Sequence, residues 1–410
     1  MEGAALISRM NNGLTVILEN LPHVESIAYE LSIPGGLLCD REGQEGSSLV
    51  LAELLERGAG AYDSKRLSEE FEKCGIQHSE SAGHDRFCLR GQCLAGDEVR
   101  ALELLSLMVF EPKLPLEHIE SIKKLLMFDL DALEDAPGER TAILLSKNYF
   151  PGRHGRSPYG KRNDIASLKR EQLLTLYEEE FKPDGSVFSI CGKLKGDEIL
   201  SEIEKLFGGW KGSAVHIPKC ESVQTGFYEH IDENLSQLYL TLAFPSVPCT
   251  NPVYYVARVF NEILSGGMFG RLFIELRERQ GLCYGIQSRY IAGDDTGNIF
   301  VSSSTTPERS AMLLSALKQV LGSAIYDLSE EEIERAKVNL ITSVIFEEEV
   351  THSRCSMNSN DWWVFKRVRP ISELRNKIRS VEKEDIIRYV EAFPFEPFSM
   401  ASIGAKRIPL

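Results

Sequence analysis

The chain repeats itself once over a long distance, and this repeat constrains the fold more than any other feature of the sequence. Three pairs of stretches are similar at separations of 213 or 214 residues: "LPLEHIESIKK" from Leu114 and "LSEEEIERAKV" from Leu328, "IASLKREQLLTLYEEEF" from Ile165 and "IRSVEKEDIIRYVEAFP" from Ile378, and "SICGK" at 189 and "SIGAK" at 402. A period this long predicts two homologous domains and excludes a solenoid of short repeats.

The same order of elements is predicted in both halves. The first half opens with a hairpin signal around Asn11-Asn12-Gly13, followed by an alternating strand and two helices, at 46–57 and about 64–74. Hairpin strands mixed with paired helices indicate an α+β fold, in which helices pack on a largely antiparallel sheet. We expect domains at 1–210 and 227–410, joined by a Gly-rich and polar linker at 211–226.

Composition excludes several classes of function. The net charge of −15 argues against nucleic-acid binding, which needs a basic surface. No run of eighteen or more apolar residues is present, so no membrane span is expected. The first residues resemble neither a secretory signal nor a transit peptide, and the nine scattered cysteines contain no C-x-x-C pair. These features predict a cytoplasmic protein with reduced thiols.

Familiar catalytic signatures are missing from the sequence. The eight histidines form neither H-x-x-x-H nor H-E-x-x-H, and no G-x-S-x-G or P-loop occurs. His78 and His84 lie six residues apart near a predicted strand pair. We interpret them as polar residues at strand ends and not as a metal-binding pair.

Three longer stretches carry a family resemblance over nearly the whole chain: "NNGLTVILENLPHVESIAYELSIPGG", "EDAPGERTAILLSKNYFPGRHGRSPYGKRNDIASL" and "NEILSGGMFGRLFIELRERQGLCYGIQS". They resemble the pitrilysin/insulinase-type metallopeptidases, which include the mitochondrial processing peptidase subunits. The resemblance implies the two-domain fold of that type.

Active members of this family carry the inverzincin motif H-x-x-E-H on the helix predicted at 46–57. Its positions fall here on Leu49, Ala52 and Glu53, and the family's third ligand, a glutamate, falls on Asp129. Leucine has no lone pair for zinc, and alanine cannot act as a general base. The resemblance therefore implies a degenerate zinc site, with no catalytic residue and no metal in this chain.

A second feature of the family is present. Arg277 and Tyr284 in "RERQGLCY" match an Arg/Tyr pair that binds the substrate backbone in relatives. A guanidinium and a phenol can both donate hydrogen bonds to a carbonyl oxygen that gains charge. The alternative is that Arg277 pairs with Glu278 or Glu275 on its own helix, while Tyr284 packs on one side of a strand.

These observations lead to three functional hypotheses. The first is a non-catalytic, substrate-binding subunit of a zinc-dependent peptidase that acts on extended peptides. It would form a heterodimer with a homologous subunit, and zinc is expected only in that partner. A homodimer is the alternative assembly. The second is a structural subunit similar to the core proteins of respiratory complexes. The third is a stand-alone enzyme with an altered metal site at Glu53 and Asp129. Two carboxylates argue against this hypothesis, because a hard cation binds more oxygen ligands.

Overall fold

The computed structural model of the chain describes residues 5–323 and 326–409. Within these residues the strands, numbered in chain order, are β1 Leu6–Arg9, β2 Thr15–Asn20, β3 Ser26–Pro34, β4 Gly58–Ala59, β5 Tyr62–Asp63, β6 Gln77–Ala82, β7 Arg86–Leu94, β8 Val187–Gly192, β9 Tyr228–Asp232, β10 Leu238–Ser246, β11 Gly285–Ala292, β12 Gly297–Thr305 and β13 Ser399–Gly404.

The α-helices in the described residues are α1 Ser47–Leu55, α2 Ser64–Lys73, α3 Glu98–Phe110, α4 Leu116–Glu134, α5 Pro137–Tyr149, α6 Arg162–Ser167, α7 Arg170–Glu180, α8 Gly196–Phe207, α9 Tyr254–Ser265, α10 Ser310–Ser323, α11 Glu330–Glu349, α12 Thr351–Phe365, α13 Ile371–Arg379 and α14 Lys383–Ala392. Phe273–Arg279 forms a π-helical segment. None of the described helices is long and apolar enough to cross a membrane.

Two sheets with the same strand order confirm the predicted fold class and the duplication behind it. The first sheet runs β1-β2-β8-β3-β7-β6, and the second runs β9-β13-β10-β12-β11. In each sheet one pair is parallel, β2 with β8 and β9 with β13, and the other pairs are antiparallel. Apart from β1, every strand of the first sheet therefore has a counterpart in the second.

The first turn of the chain follows its sequence signal. The Asn11-Asn12-Gly13 turn joins β1 to β2, which pair antiparallel from Leu6 with Leu18 to Arg9 with Thr15. Gly13 has φ of +93°, a left-handed conformation that glycine adopts at little cost. The turn could therefore be predicted from the sequence, because it depends on the local backbone conformation of these residues.

The compact units of the fold are not contiguous in sequence. Unit 1 comprises residues 1–131, 156–218 and 347–370, and unit 2 comprises 132–155, 219–346 and 371–410. The predicted domains at 1–210 and 227–410 are contiguous segments. They differ from these units because each half of the chain contributes one helix to the unit formed mainly by the other half. Helix α5 comes from the first half but packs on β10 and β13, and α12 comes from the second half but packs on β3 and β8.

Polar contacts hold α12 on the sheet of unit 1. The Arg354 guanidinium donates to both carboxylate oxygens of Glu19, at 2.8 and 2.9 Å, and Asn358 Nδ2 donates to Glu19 Oε2 at 2.6 Å. These three residues are buried. Because a buried carboxylate needs partners, the polar face of this sheet requires a polar helix to cover it.

A second buried carboxylate repeats this arrangement farther along α12. Glu30 on β3 accepts hydrogen bonds from Ser356 Oγ at 2.6 Å, Arg90 Nε at 2.8 Å and Ser32 Oγ at 3.0 Å. Burial raises the pKa of Glu30, but Ser356, Arg90 and Ser359 lower it, and it lies below its ordinary value. The exchanged helix thus completes the hydrogen bonding of two acidic side chains on one sheet face.

The contacts of α5 in unit 2 are more apolar. Leu145 and Tyr149 are fully buried in one cluster with Ala243 and Ala401. Tyr149 Oη also donates to Asn298 Oδ1 at 2.8 Å. Apolar packing with one buried hydrogen bond therefore holds this helix on its sheet.

Candidate functional site

A buried aspartate outside α1 positions the start of that helix. Asp40 accepts hydrogen bonds from the backbone N–H groups of Gly46 (2.6 Å) and Ser48 (3.0 Å) and from the hydroxyls of Ser47 (2.8 Å) and Ser48 (2.5 Å). A carboxylate at the N-terminal end of a helix also interacts favourably with the helix dipole. Burial raises the pKa of Asp40, and these donors oppose the rise.

The next turns of α1 carry the positions of the degenerate zinc motif. Ala52 is buried in the core of unit 1, and Leu49 packs against the same core from a half-buried position. Glu53 is half-buried, and its carboxylate lies 3.6 Å from Arg57 Nη2, one turn later. Two of the three motif side chains thus pack as apolar residues, and the third is part of an ion pair.

The electrostatics of Glu53 involve the fourth predicted position. Burial raises the pKa of Glu53, the Glu56 carboxylate raises it further, Arg57 lowers it, and Asp129 on α4 makes a smaller contribution that also raises it. The negative charge of Asp129 thus disfavours ionisation of Glu53.

A different set of side chains offers closely spaced metal ligands. Within residues 5–323 and 326–409, three or more His, Cys, Asp or Glu ligand atoms come together in one group, formed by Glu56, His78 and Glu80. Glu53 and Asp129 do not belong to it. The structure thus gives no support to an altered metal site at those two positions.

In unit 2 the structure brings Arg277 and Tyr284 together. The Arg277 guanidinium carbon lies 5.2 Å from the centre of the Tyr284 ring and 4.5 Å from that of Phe273, both within reach of a cation–π interaction. A turn at Gly281, with φ of +61°, ends the π-helical segment, and Gly281 N donates to Arg277 O at 3.0 Å. This turn returns the chain so that Tyr284 lies beside the arginine seven residues earlier.

The alternative interpretation, an ion pair of Arg277 with a neighbouring glutamate and a Tyr284 packed on a strand, agrees with the structure for Arg277 only. Arg277 Nε lies 3.8 Å from Glu278 Oε1, whereas Glu275 pairs with Arg279 at 2.6 Å. Tyr284 does not pack on one side of a strand, because 79% of its surface is exposed. A loosely paired guanidinium thus lies beside a phenol that is open to solvent.

Each unit has an unpaired sheet edge next to these positions. In unit 1, β6 pairs with β7 and is the last strand of its sheet, and α1 packs beside it. In unit 2, β11 begins at Gly285, directly after Tyr284, and is also an edge strand. Edge strands present free N–H and C=O groups that can pair with an extended peptide. The sequence did not identify these edges, because strand order depends on long-range pairing.

Two family models match the chain. The model described as insulinase (peptidase family M16) matches residues 15–158, and the model described as the peptidase M16 inactive domain matches residues 167–340. The chain belongs to the M16 peptidase family. The resemblance proposed from the sequence is confirmed.

Relatives of this M16 chain match it over nearly full length. An uncharacterized zinc protease of Rickettsia felis is 25% identical and covers 93% of both chains, and the uncharacterized zinc protease YmxG of Bacillus subtilis is 25% identical and covers 96% of both. The crystal structure of a peptidase M16 inactive domain from Pseudomonas fluorescens superposes with a TM-score of 0.89 at 19% identity, covering 99% of each chain. A protease from Helicobacter pylori superposes with a TM-score of 0.87 at 12% identity, covering 98% of this chain and 99% of its own. The solved structures share the fold.

Proposed function

We propose that this M16 chain is the non-catalytic, substrate-binding subunit of a zinc-dependent peptidase that cleaves extended peptides. A zinc-bearing homologous chain supplies the metal and the general base. The observation that carries the proposal is a contrast within one chain. The motif helix has Leu49 in place of a zinc ligand and Ala52 in place of the general base, while Arg277 and Tyr284 remain together and accessible.

The chemistry of α1 supports a non-catalytic role. Zinc lowers the pKa of its bound water from 15.7 to about 7 and so supplies hydroxide at neutral pH. Neither Leu49 nor Ala52 has an atom that can bind zinc or accept a proton. A carboxylate at Glu53 next to Arg57 replaces what is an imidazole in active members.

The Arg/Tyr pair supports peptide binding. The Tyr284 hydroxyl can donate to a peptide carbonyl, and the Arg277 guanidinium can donate from beside the same ring. The adjoining strand edge at β11 offers main-chain hydrogen bonds that tolerate many sequences. This combination suits an unfolded or extended substrate of varied sequence.

Replacing Arg277 by alanine is expected to lower the kcat/KM of the reconstituted complex on an unstructured peptide at least about tenfold, because a buried or substrate-facing charged donor contributes more than 1 kcal/mol. Tyr284→Phe removes only the hydroxyl, and we expect a loss of about two- to tenfold. The assay mixes the full chain with its zinc-bearing homologue from the same genome. It measures cleavage that a chelator abolishes.

Two neighbouring residues provide matched controls. Arg279 pairs with Glu275 on the same segment, and Tyr326 is another exposed tyrosine of unit 2. Arg279→Ala and Tyr326→Phe are expected to leave the rate unchanged. Equal rates for all four variants would contradict substrate binding by the pair and would favour a structural subunit. Chelator-sensitive cleavage by the isolated chain would contradict the non-catalytic role.

A further inference from the structure

We propose that Glu56, His78 and Glu80 form a binding site for a divalent transition-metal ion of the Zn²⁺ type, outside the degenerate motif. The site joins the end of α1 to the edge strand β6. It is independent of peptide binding by Arg277 and Tyr284, and of the metal in a catalytic partner.

The spacing of the ligand atoms matches a coordination shell. One ligand atom from each of the three side chains lies within 4.8 Å of the other two. His78 Nδ1 is 3.1 Å from Glu80 Oε1 and 3.3 Å from Glu80 Oε2. Two ligands of a tetrahedral zinc ion with bonds of about 2.1 Å are about 3.4 Å apart. The imidazole and this carboxylate are therefore already at the separation of two ligands of one ion.

Neighbouring groups hold the imidazole and the carboxylate in place. His78 and Glu80 are two residues apart on β6, so they point to the same face of the sheet. The Phe71 ring of α2 stacks on the His78 ring, with centroids 3.9 Å apart, and fixes its plane. The Glu80 side chain is 2% exposed, whereas Glu56 is 31% exposed, which gives an ion access from solvent.

The charge of the cluster favours a divalent ion. Two carboxylates face one imidazole and one guanidinium, so with a neutral imidazole the group carries a net negative charge. Arg57 Nη2 lies 2.8 Å from Glu56 Oε1 and can orient that carboxylate while its other oxygen binds the metal. A dication offsets the remaining charge beside Glu80, whose burial otherwise has a cost.

The donor set indicates the class of metal. Imidazole nitrogen with carboxylate oxygens suits zinc and its first-row neighbours, whereas Mg²⁺ and Ca²⁺ prefer all-oxygen sites. Three protein ligands leave at least one position for water. Glu56 lies three residues after Glu53, so the site is one helical turn away from the lost motif. The proposal gives His78 a role in addition to that of a polar residue near the end of a strand.

Titration of the chelator-treated full chain with ZnCl₂ by calorimetry tests the proposal. We expect one Zn²⁺ per chain, and a melting temperature that rises with added ZnCl₂, because an ion that binds only the folded state stabilises it. Co²⁺ in place of Zn²⁺ is expected to give a visible absorption band from a site with a nitrogen ligand. Glu56→Gln, His78→Gln and Glu80→Gln should each weaken binding more than about tenfold.

Controls separate this site from its neighbours. His84→Gln changes a histidine on the turn of the same β6–β7 hairpin and should leave the affinity unchanged. Glu53→Gln and Asp129→Asn test the degenerate motif and should also leave it unchanged. Glu56 is partly exposed, so Glu56→Gln tests the site if a β6 variant fails to fold. Absence of stoichiometric Zn²⁺ uptake by the unmodified chain, or uptake that survives Glu56→Gln but is lost in Asp129→Asn, would overturn the proposal.

Discussion

Replacement of Arg354 by methionine is expected to lower the free energy of unfolding of unit 1 by about 3–5 kcal/mol. The Arg354 and Glu19 side chains are 8% and 6% exposed, and the guanidinium donates to both carboxylate oxygens. Methionine has a similar length but no donor, so the variant leaves a buried carboxylate with only neutral donors, the Asn358 amide and the Cys191 thiol. An unpaired buried charge costs far more than a lost surface ion pair.

Tryptophan fluorescence during urea unfolding measures this effect in the relevant unit. The three tryptophans of the chain, Trp210, Trp362 and Trp363, all belong to unit 1. The control is Arg9→Met, which breaks an exposed pair with Asp184 in the same unit and should cost no more than about 1 kcal/mol. The Glu19→Gln/Arg354→Met double variant should recover part of the loss, since it removes the stranded charge. Similar urea midpoints for Arg354→Met and Arg9→Met would refute the role of the buried pair.

Glu180 is expected to make unit 1 less stable as the pH rises from about 4.5 to about 8. Its carboxyl group is buried and accepts a hydrogen bond from Gly36 N at 3.0 Å. Burial raises the pKa of Glu180 to about 8. The Gly36 N–H lowers it, the Asp40 and Glu179 carboxylates raise it, and Arg41 lowers it by a smaller amount. Between these two pH values the Glu180 carboxyl group stays protonated in the folded chain and is ionised in the unfolded chain.

The sign of the effect follows from proton linkage. Because the folded state binds more protons between the two pKa values, the free energy of unfolding falls with pH by up to about 1.4 kcal/mol per pH unit. The contribution of Glu180 is complete below the unfolded pKa and lost above about pH 8. The raised pKa of Asp40 acts in the same direction, and the lowered pKa of Glu30 acts in the opposite one. A variant is therefore needed to isolate Glu180.

Glu180→Gln keeps the shape of the side chain and an acceptor for Gly36 N–H but cannot ionise. We expect its urea midpoint to depend less on pH than that of the unmodified chain, with the difference growing from pH 5 to pH 8. The matched control is Glu179→Gln, whose carboxylate is half exposed and pairs with Arg41. Parallel pH profiles for the unmodified chain and Glu180→Gln would show that Glu180 ionises normally in the fold.

Local signals and the internal repeat were sufficient to predict the fold class. Turn signals such as Asn11-Asn12-Gly13 depend on backbone sterics within a few residues, and helix and strand periodicities depend on which face is apolar. The repeat then predicted that both halves share one order of elements along the chain. The positions of Leu49, Ala52, Glu53 and Asp129 followed from the family motif, and their assignment stays a prediction.

The exchange of α5 and α12 could not be predicted from local pattern. Helix α12 reads "THSRCSMNSNDWWVF", which is polar enough for a solvent-facing helix, yet Arg354, Asn358 and Ser359 are buried. The reason is that its partner, the sheet face with Glu19 and Glu30, is itself polar and comes from residues more than 300 positions earlier. Complementary hydrogen bonding, not hydrophobicity, holds this helix in place.

The sequence by itself determined the family and the two-fold duplication and predicted the loss of zinc ligands on α1, because each depends on residue identity at a fixed spacing. Only the tertiary structure decided which side chains meet. It brought Glu56 at the end of α1 to His78 and Glu80 on an edge strand, and it left Tyr284 exposed beside Arg277. Contacts of this kind depend on strand pairing and helix packing between segments that are distant in sequence, and local periodicity does not encode them.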